Sequence, residues 1–406
     1  MLWTTIGVTI GGPSAPLCST REYRSYGGSV AQNLNTTTVR DLMMEFAGQT
    51  GLLPPRARPR RYLWTDAYAV CTYLELFRRT GDRTCRDLVL ALVDQVHHTL
   101  GRHRDDDSRG GWISGLPEAE GEAHPTRGGL RIGKPLPERR SDEPLDERQE
   151  WDRDGQYYHY LTKWMHALNR VSRATGDPTY SRWAVELAEA AHAAFTYTPP
   201  SGGRKRMHWK MSIDLSYPLV PAMGQHDPLD GLVTYSELQA TAGGTDLSPV
   251  ITDMAGICRG VNLATDDPLG IGGLLFDAGR IVHLTIRDGF LYPDLLDSVL
   301  DAALVGLAGF AGSGSLRYPA GYRLAFRELG LAIGLCGVPG LLEAVRGNPD
   351  LFGRGGGLER RAEALMEYVP LTDAIKGFWM DNRNREVGTW LQNPEINTVM
   401  LATSLA

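Results

Sequence analysis

The sequence predicts an all-α protein whose helical hairpins close into an (α/α)6 toroid. Three observations lead to this prediction: two long hairpins repeat one design, helical periodicity continues along the chain, and strand patterns are scarce. Internal repetition of helix pairs is the usual sign of a ring or a solenoid, and a six-hairpin ring needs about a dozen helices.

Two hairpins carry the repeat. The first covers residues 68–101 and turns at Gly81-Asp82, and the second covers residues 157–197 and turns at Gly176-Asp177-Pro178. On both sides of each turn, apolar residues recur every three or four positions, as they do on one face of a helix. In each turn, glycine supplies the left-handed residue that ends a helix, and aspartate can cap the next helix.

Further helical segments follow with the same alternation. Proline and glycine fall between these segments, and alternating runs of β-branched residues are rare. We therefore predict an amino-terminal arm over residues 1–36 and a single toroid domain over residues 37–406. The segments outside the two hairpins are 37–48, 231–242, 247–260, 271–287, 291–311, 321–335, 338–346, 358–368 and the carboxyl end.

The composition is that of a soluble globular chain. The 406 residues are 42% hydrophobic, enough for a large core, and carry a net charge of -6. Basic residues are scattered among acids, which argues against a nucleic-acid or membrane partner. The chain also lacks a run of about 18 uninterrupted apolar residues, the length that spans a bilayer.

The cysteines and the amino terminus favour a cytoplasmic location. Five cysteines, the first at Cys18, show no CxxC spacing, so neither a disulfide framework nor a thiolate zinc site is expected. Residues 1–20 are apolar but lack the positive start of a secretion signal, and Gly11-Gly12-Pro13 interrupts them.

Patterns typical of metal and nucleotide sites are not matched. His97 and His98 are adjacent and face different sides of a helix, so they share one ion poorly. Residues 105–107 are three aspartates, but they fit neither the DxDD nor the DDxxD pattern of terpene cyclases. The glycines at 270–273 and 353–357 lack the strand and helix that flank a phosphate loop. We predict no metal and no cofactor.

Two connections are too long for simple turns. Residues 102–153 and 198–230 are rich in glycine, proline and charge, and loops of this length are usually functional or disordered. Short apolar pieces at 110–113 and 128–132 suit a hairpin across a cavity mouth. The composition of residues 117–148 is equally typical of a mobile segment.

Three segments carry a family resemblance. Trp64-Thr65-Asp66-Ala67 opens a hairpin, Gly110-Gly111-Trp112 follows it, and residues 151–157 (WDRDGQY) open the next. This pattern resembles the six-hairpin glycosidase-like superfamily, which includes N-acylglucosamine 2-epimerase-like sugar isomerases and unsaturated glucuronyl hydrolases. The resemblance implies a toroid with a small-molecule, carbohydrate substrate in its central cavity. One departure is that the last histidine is His283, so the carboxyl end has no match to an epimerase histidine.

The position of inner helices predicts where chemistry occurs. If the first helix of each hairpin is the inner one, the segments that enter inner helices meet at one end of the cavity. Three such segments, 64–66, 150–159 and 226–230, are rich in acids, aromatic residues and histidine. Acids in a first turn also cap helices, so a purely structural role for each one stays an open alternative.

The candidate residues combine carboxyl groups, imidazoles and aromatic faces, which sugar recognition and glycosidic acid/base chemistry use. His226 beside Asp227 also fits a general base with an orienting carboxylate. The candidate catalytic residues are Asp66, Glu150, Asp152, Asp154, His226 and Asp227. The candidate substrate-binding residues are Trp64, Arg131, Trp151, Tyr157, Tyr158, His159, Lys163, Lys210 and Trp379.

Three functional hypotheses follow. The leading one is a glycoside hydrolase in which an acid of residues 150–154 pairs with Asp66 or Asp227. The second is a sugar 2-epimerase or isomerase in which His226 and His159 exchange a proton beside a carbonyl. The third is a toroid that only binds a ligand or a protein, or a cyclase-like biosynthetic protein, for which an aliphatic cavity without a carboxyl pair is expected.

Overall fold

The computed structural model of this chain describes residues 26–290, 292–353 and 356–406. Residues 1–25 of the predicted arm, with Cys18, lie outside the described residues. The described helices, in chain order, are α1 (Tyr26–Thr50), α2 (Leu63–Thr80), α3 (Arg83–Leu100), α4 (Glu118–Ala123), α5 (Glu147–Glu150), α6 (Tyr158–Thr175), α7 (Pro178–Phe195), α8 (Asp227–Thr241), α9 (Ser248–Cys258), α10 (Pro268–Asp288), α11 (Pro293–Ser313), α12 (Ala325–Cys336), α13 (Val338–Gly347), α14 (Pro349–Phe352), α15 (Gly357–Met366), α16 (Leu371–Met380), α17 (Asn382–Arg385), α18 (Gly388–Leu391) and α19 (Pro394–Leu405).

Six of these helices form a closed inner ring. Helices α2, α6, α8, α10, α12 and α19 each pack against the next, and α19 packs against α2 to complete the circle. Around them, α3, α7, α9 and α11 cover α2, α6, α8 and α10, while α13 and α16 flank α12 and α1 covers α19. The predicted (α/α)6 toroid is confirmed, and the first helix of each predicted hairpin is the inner one.

The hairpin turns form as their residues predict. Gly81 and Gly176 have φ values of 68° and 76°, the left-handed region that glycine enters without steric cost. Asp82 accepts a hydrogen bond from the backbone N–H of Thr84, and Asp177 accepts one from Thr179. Each turn therefore ends one helix and caps the next, which sets the helices side by side.

The helix pair that closes the ring joins opposite ends of the chain. Helix α1 packs on α19, and the hydroxyl groups of Thr72 and Thr403 lie 2.8 Å apart between α2 and α19. Helix α1 begins at Tyr26, so the predicted start at residue 37 was too late. Residues 26–36 contain two glycines and few apolar residues, which hides the helical period.

The long connections fold into the rim of the ring. Trp183 donates a hydrogen bond to the carbonyl of Ala123, and Arg139 donates one to the carbonyl of Leu219, so parts of residues 117–148 are packed against other elements. Strand β4 pairs antiparallel with β1 and with β5, and β2 pairs with β3. These short strands are β1 (Gln156–Tyr157), β2 (Thr196–Tyr197), β3 (Arg206–Met207), β4 (Lys210–Met211) and β5 (Pro218–Val220).

Three helical stretches are long and apolar enough to cross a membrane by length and composition alone. They are Pro268–Asp288, Asp294–Arg317 and Ala325–Gly347. In the toroid the first is an inner helix, the second is its outer partner, and the third is α12 with α13. Of the most apolar part of each stretch, 61% is buried inside the toroid in the first and third, and 44% in the second.

Trp379 was predicted to bind substrate, but it is a core residue. Its indole N–H donates a hydrogen bond of 2.8 Å to Glu328, and its side chain is fully buried in α16. Arg323 makes two hydrogen bonds to the same carboxylate and lies over the ring of Phe378. This cluster joins α12 to α16 and does not line the cavity described below.

Replacing Glu328 with alanine should destabilise the fold, because Arg323 would keep a buried, unpaired charge. Loss of one partner of a buried ion pair costs about 3–5 kcal/mol. We expect the free energy of unfolding in urea to fall by this amount, and the exposed Glu367→Ala variant to change little. Equal stability of the two variants would contradict the role given to the pair.

Candidate functional site

The inner ring encloses a cavity of about 1060 Å³. It opens at the end where the inner helices begin, so six helix amino termini, with their positive partial charge, surround it. Ring closure therefore brings together residues that are distant in the chain. The first turns contribute Trp64 and Asp66 (α2), His159 and Tyr160 (α6), Asp227 and Asp230 (α8), Leu269 and Gly270 (α10), Phe326 and Arg327 (α12), and Glu395 and Ile396 (α19).

Asp227 is a buried carboxyl group, and one of its oxygens has no hydrogen-bond partner. Its Oδ2 has no hydrogen-bond partner, and its Oδ1 lies 3.6 Å from Nδ1 of His159, which also lacks a partner. Burial, reinforced by the nearby charge of Asp230, raises the pKa of Asp227 to about 8 against the opposing effect of Lys163. Asp227 is therefore protonated at neutral pH and can donate its proton into the cavity.

Asp230, one helical turn later, is in the opposite state. Its Oδ2 accepts hydrogen bonds of 2.6 Å from Thr162 and 2.8 Å from Lys163, and Arg280 lies 3.4 Å from its Oδ1. Burial alone would raise the pKa of Asp230, but the charges of Lys163 and Arg280 lower it below its ordinary value. Two carboxyl groups on one face of α8 thus differ in protonation because their partners differ.

Arg280 is the centre of the buried charges below the cavity. Its Nη1 donates to Asp277 at 2.9 Å, and its Nη2 donates to Thr234 at 2.9 Å and to Glu237 at 2.7 Å. Burial and the charge of Asp230 raise the pKa of Asp277 to about 6, although Lys163 and Arg280 oppose this shift. Helices α8 and α10 are therefore joined by charge as well as by apolar packing.

A glycine makes room for the Asp227 carboxyl group. A Cβ atom at Gly224 would lie 2.3 Å from Oδ2 and 2.5 Å from Cγ of Asp227, far inside van der Waals contact. Because the aspartate side chain is short, it would have to move away from such a methyl group. The loop before α8 therefore fixes the position of this carboxyl group by approaching it closely.

Asp66 faces the same cavity from α2. It accepts a hydrogen bond of 3.0 Å from the backbone N–H of Tyr62 and lies 3.3 Å from Nη1 of Arg61. Burial raises the pKa of Asp66 to about 6, with Arg61 and the Tyr62 N–H acting in the opposite direction. Asp66 therefore binds a backbone N–H at the start of α2, which is the structural role that the sequence left open. It also lines the cavity.

Two neutral histidines flank the acids. Nε2 of His226 lies 2.8 Å from the carbonyl oxygen of Leu263, so Nε2 carries the proton and Nδ1 keeps its lone pair. Burial lowers the pKa of His226, and it lowers that of His159 to about 4. Both imidazoles are therefore neutral near pH 7, and Nδ1 of His226 has a lone pair free to face the cavity.

Aromatic side chains form the walls of the cavity. Trp64 and Tyr68 have ring centroids 4.7 Å apart, Tyr62 and Tyr160 are 5.5 Å apart, and their hydroxyl groups share a short hydrogen bond. The lining otherwise consists mainly of polar and charged groups, and its aliphatic members are Leu100, Leu269 and Ile396. Flat apolar faces among hydrogen-bonding groups are suited to a ligand with both characters.

Ten of the fifteen predicted residues line this cavity. The helix starts that the sequence singled out do meet at this cavity, and the roles of their residues stay predictions. Arg131 has all its guanidinium nitrogens engaged, by Asp154 and by the carbonyls of Arg102 and Thr99, so it braces the wall. The ten are Trp64, Asp66, Arg131, Trp151, Asp152, Tyr157, His159, Lys163, His226 and Asp227.

Five predicted residues lie outside the cavity lining. Trp379 is in the core described above. Glu150 and Lys210 form a buried ion pair of 2.8 Å, and Asp154 forms another of 2.6 Å with Arg131. Tyr158 is fully buried and donates a hydrogen bond to the hydroxyl of Tyr235. The acids at 150 and 154 thus bind cations of the rim, which explains their density in the sequence.

The sequence reasoning missed several cavity residues. Asp277 lies in an apolar helical stretch where a charge is unusual, and Arg280 follows it by three positions, which is a detectable signal. Asp230 lies in the predicted segment 226–230 but was not among the candidate residues. Trp209 reaches the cavity because β4 pairs with β1, a contact that short strands in a long loop do not reveal.

Metal ligation is not suggested by the described residues, among which no three His, Cys, Asp or Glu side chains are grouped to hold an ion.

Comparisons with known proteins reveal similarity at the level of the fold. No protein-family model and no curated protein matches the chain. A sugar epimerase from a ruminal bacterium is 12% identical, covering 76% of this chain and 75% of its own, with a TM-score of 0.43. Cellobiose 2-epimerase from Spirochaeta thermophila is 15% identical, covering 84% and 98%, with a TM-score of 0.44. A GH76 α-mannanase from Bacteroides thetaiotaomicron is 10% identical, covering 93% and 97%, with a TM-score of 0.49.

These proteins are similar to the chain only distantly, so the chemistry of the cavity rests on its own residues. The packing of the helices defines the class of protein: an (α/α)6 toroid with an acid-rich, aromatic central cavity.

The raised pKa of Asp227 should make stability fall with pH. Between its ordinary value of 3.8 and about 8, the folded state holds a proton that the unfolded state releases, so the free energy of unfolding decreases across this range. Asp227→Asn removes this proton. We expect the variant to lose less stability than the wild type between pH 5 and pH 8 in urea unfolding. Parallel losses would contradict a protonated Asp227.

Proposed function

We propose that this protein is a carbohydrate-active enzyme that hydrolyses a glycosidic bond, with Asp227 as the proton donor and Asp230 as its ionised partner. The observation that carries this proposal is the contrast between these two carboxyl groups. Asp227 is buried with an unused oxygen, while Asp230 is held by Lys163, Thr162 and Arg280. Glycosidic hydrolysis requires one protonated and one ionised carboxyl group at the scissile bond.

The charges around the pair favour a positively charged transition state. The carboxylates of Asp230, Asp277 and Glu237 outnumber the cations of Lys163 and Arg280 in the same buried cluster. A sugar that loses its leaving group develops positive charge at the anomeric carbon. Protonation of the leaving oxygen by Asp227 and attraction to the remaining negative charge would lower the barrier together.

The cavity walls support a sugar as the substrate. Sugar rings present apolar C–H faces together with hydroxyl groups, and the cavity offers the faces of Trp64 and Tyr157 beside polar groups. Unpartnered buried polar atoms, namely Thr65 Oγ1, His159 Nδ1 and Asp227 Oδ2, are available for hydroxyl groups. Among the described residues that line this cavity, the aliphatic ones are too few for the lining that a cyclase-like protein would need.

A second candidate function is sugar 2-epimerisation. The observation that favours it is the state of His226, whose Nδ1 is a free base because Nε2 is bonded to the Leu263 carbonyl. His159, with an unpartnered Nδ1, would return the proton. Hydrolysis ranks first because it gives the protonated Asp227 a direct role, whereas epimerisation requires no carboxylic acid.

Asp227→Asn should remove hydrolysis, since the amide cannot donate a proton to the leaving oxygen. We expect the rate on a panel of unmodified disaccharides to fall by about 100-fold to 10,000-fold. On activated phenol glycosides the loss should be smaller, because a phenolate leaves without protonation.

The matched control is Asp41→Asn, an exposed change on outer helix α1. It should keep full activity, and both variants should unfold as cooperatively as the wild type. Wild-type rates in Asp227→Asn on the disaccharides would exclude Asp227 as the acid.

Solvent deuterium should separate the two candidate functions. Proton exchange at carbon 2 introduces deuterium from D2O into a stable C–H position, whereas hydrolysis adds solvent only to exchangeable hydroxyl groups. We expect mass spectrometry of the recovered sugars to show no carbon-bound deuterium. Deuterium at carbon 2 that disappears in His226→Ala would instead establish the epimerase.

A further inference from the structure

Two tryptophans form an aromatic corner at the cavity mouth. Trp151 and Trp209 have ring centroids 5.5 Å apart and planes inclined at 80°, so they present faces almost at right angles. Trp151 is 53% exposed, although a large apolar side chain gains free energy by burial. Both rings line the cavity.

A buried ion pair holds the corner in place. Glu150 precedes Trp151, Lys210 follows Trp209, and the Lys210 Nζ lies 2.8 Å from a carboxylate oxygen of Glu150. The same ammonium donates to the backbone carbonyls of Glu150 and Arg153, at 2.9 Å and 2.8 Å. Arg139 binds the second oxygen of the Glu150 carboxylate at 3.1 Å. Each tryptophan is thus adjacent in sequence to a fixed charge, and the corner is preorganised.

Aromatic rings lead from the corner to the proposed acid. Trp209 lies parallel to His159, with 6.4 Å between centroids and 18° between planes, and 5.4 Å from Tyr157. His159 in turn lies 3.6 Å from Asp227. Exposure falls along this path, from the exposed Trp151 through the half-buried Trp209 and His159 to the buried Asp227.

We propose that the corner of Trp151 and Trp209 is a rim subsite for a remote sugar unit, so that the substrate is an oligosaccharide rather than a single glycoside. This inference rests on the proposed function, because it takes the bond to be cleaved as lying at Asp227. The unit at the corner stacks on the exposed face of Trp151, and the units between it and Asp227 follow Trp209 and Tyr157. Stacking on aromatic faces tolerates many sugars, so the corner recognises chain length more than identity.

Binding to a catalytically blocked protein tests the subsite. In the Asp227→Asn background, calorimetric titration with cello-, xylo- and manno-oligosaccharides, from disaccharide to hexasaccharide, should show affinity that rises with length in at least one series. Adding Trp151→Ala should weaken binding of the long members about tenfold, since one stacking contact is lost, and leave the disaccharide unchanged. Trp151→Phe should restore most of the affinity.

Tyr318→Ala is the matched control, because Tyr318 is 57% exposed and is not among the residues that line the cavity. It should bind every probe as its parent does. An equal effect of Trp151→Ala on all lengths, no effect on any, or no binding in any series would overturn the subsite. Trp151→Ala could weaken binding of the long oligosaccharides alone while the wild type hydrolyses no oligosaccharide. That result would support the subsite and contradict the proposed hydrolase activity.

Discussion

The closure of the inner ring is the constraint on which the rest of the structure depends. Six helices can surround a hollow only if the last packs against the first, and α19 meets this condition by packing against α2. Closure points all six helix amino termini at one space, and it brings Asp66, Asp227 and Arg327 to a common surface. Helix dipoles and side-chain charges then act on one enclosed volume.

Within that volume, burial determines the chemical state of each charged group. Arg280 is buried and Lys163 is largely so, and the desolvation cost of these two cations is offset by the carboxylates of Asp230, Asp277 and Glu237. Asp227 is not included in these pairs and therefore keeps its proton. Its neighbour Asp230 has the same side chain on the same helix, so the difference between the two arises from surroundings alone.

The fold was predictable because its signals are local. A glycine ends each helix and an aspartate caps the next at Gly81-Asp82 and Gly176-Asp177, and neither signal depends on distant residues. The site was predictable only to the level of the helix starts. Glu150 and Asp154 were assigned to catalysis from acid density, but their partners, Lys210 and Arg131, are 60 and 23 positions away. Such pairing depends on rim packing that sequence periodicity does not encode.

The closing pair of helices has a kinetic consequence. Thr72 and Thr403 touch across 331 positions of sequence, so their contact carries a large loop-closure entropy. Hairpins such as α6 with α7 can assemble from nearby residues soon after they are made, whereas α19 can dock on α2 only after the 331 positions between Thr72 and Thr403 have been made. The acids of α8 and α10 can therefore lie beside each other before the hollow that shields them from water is sealed.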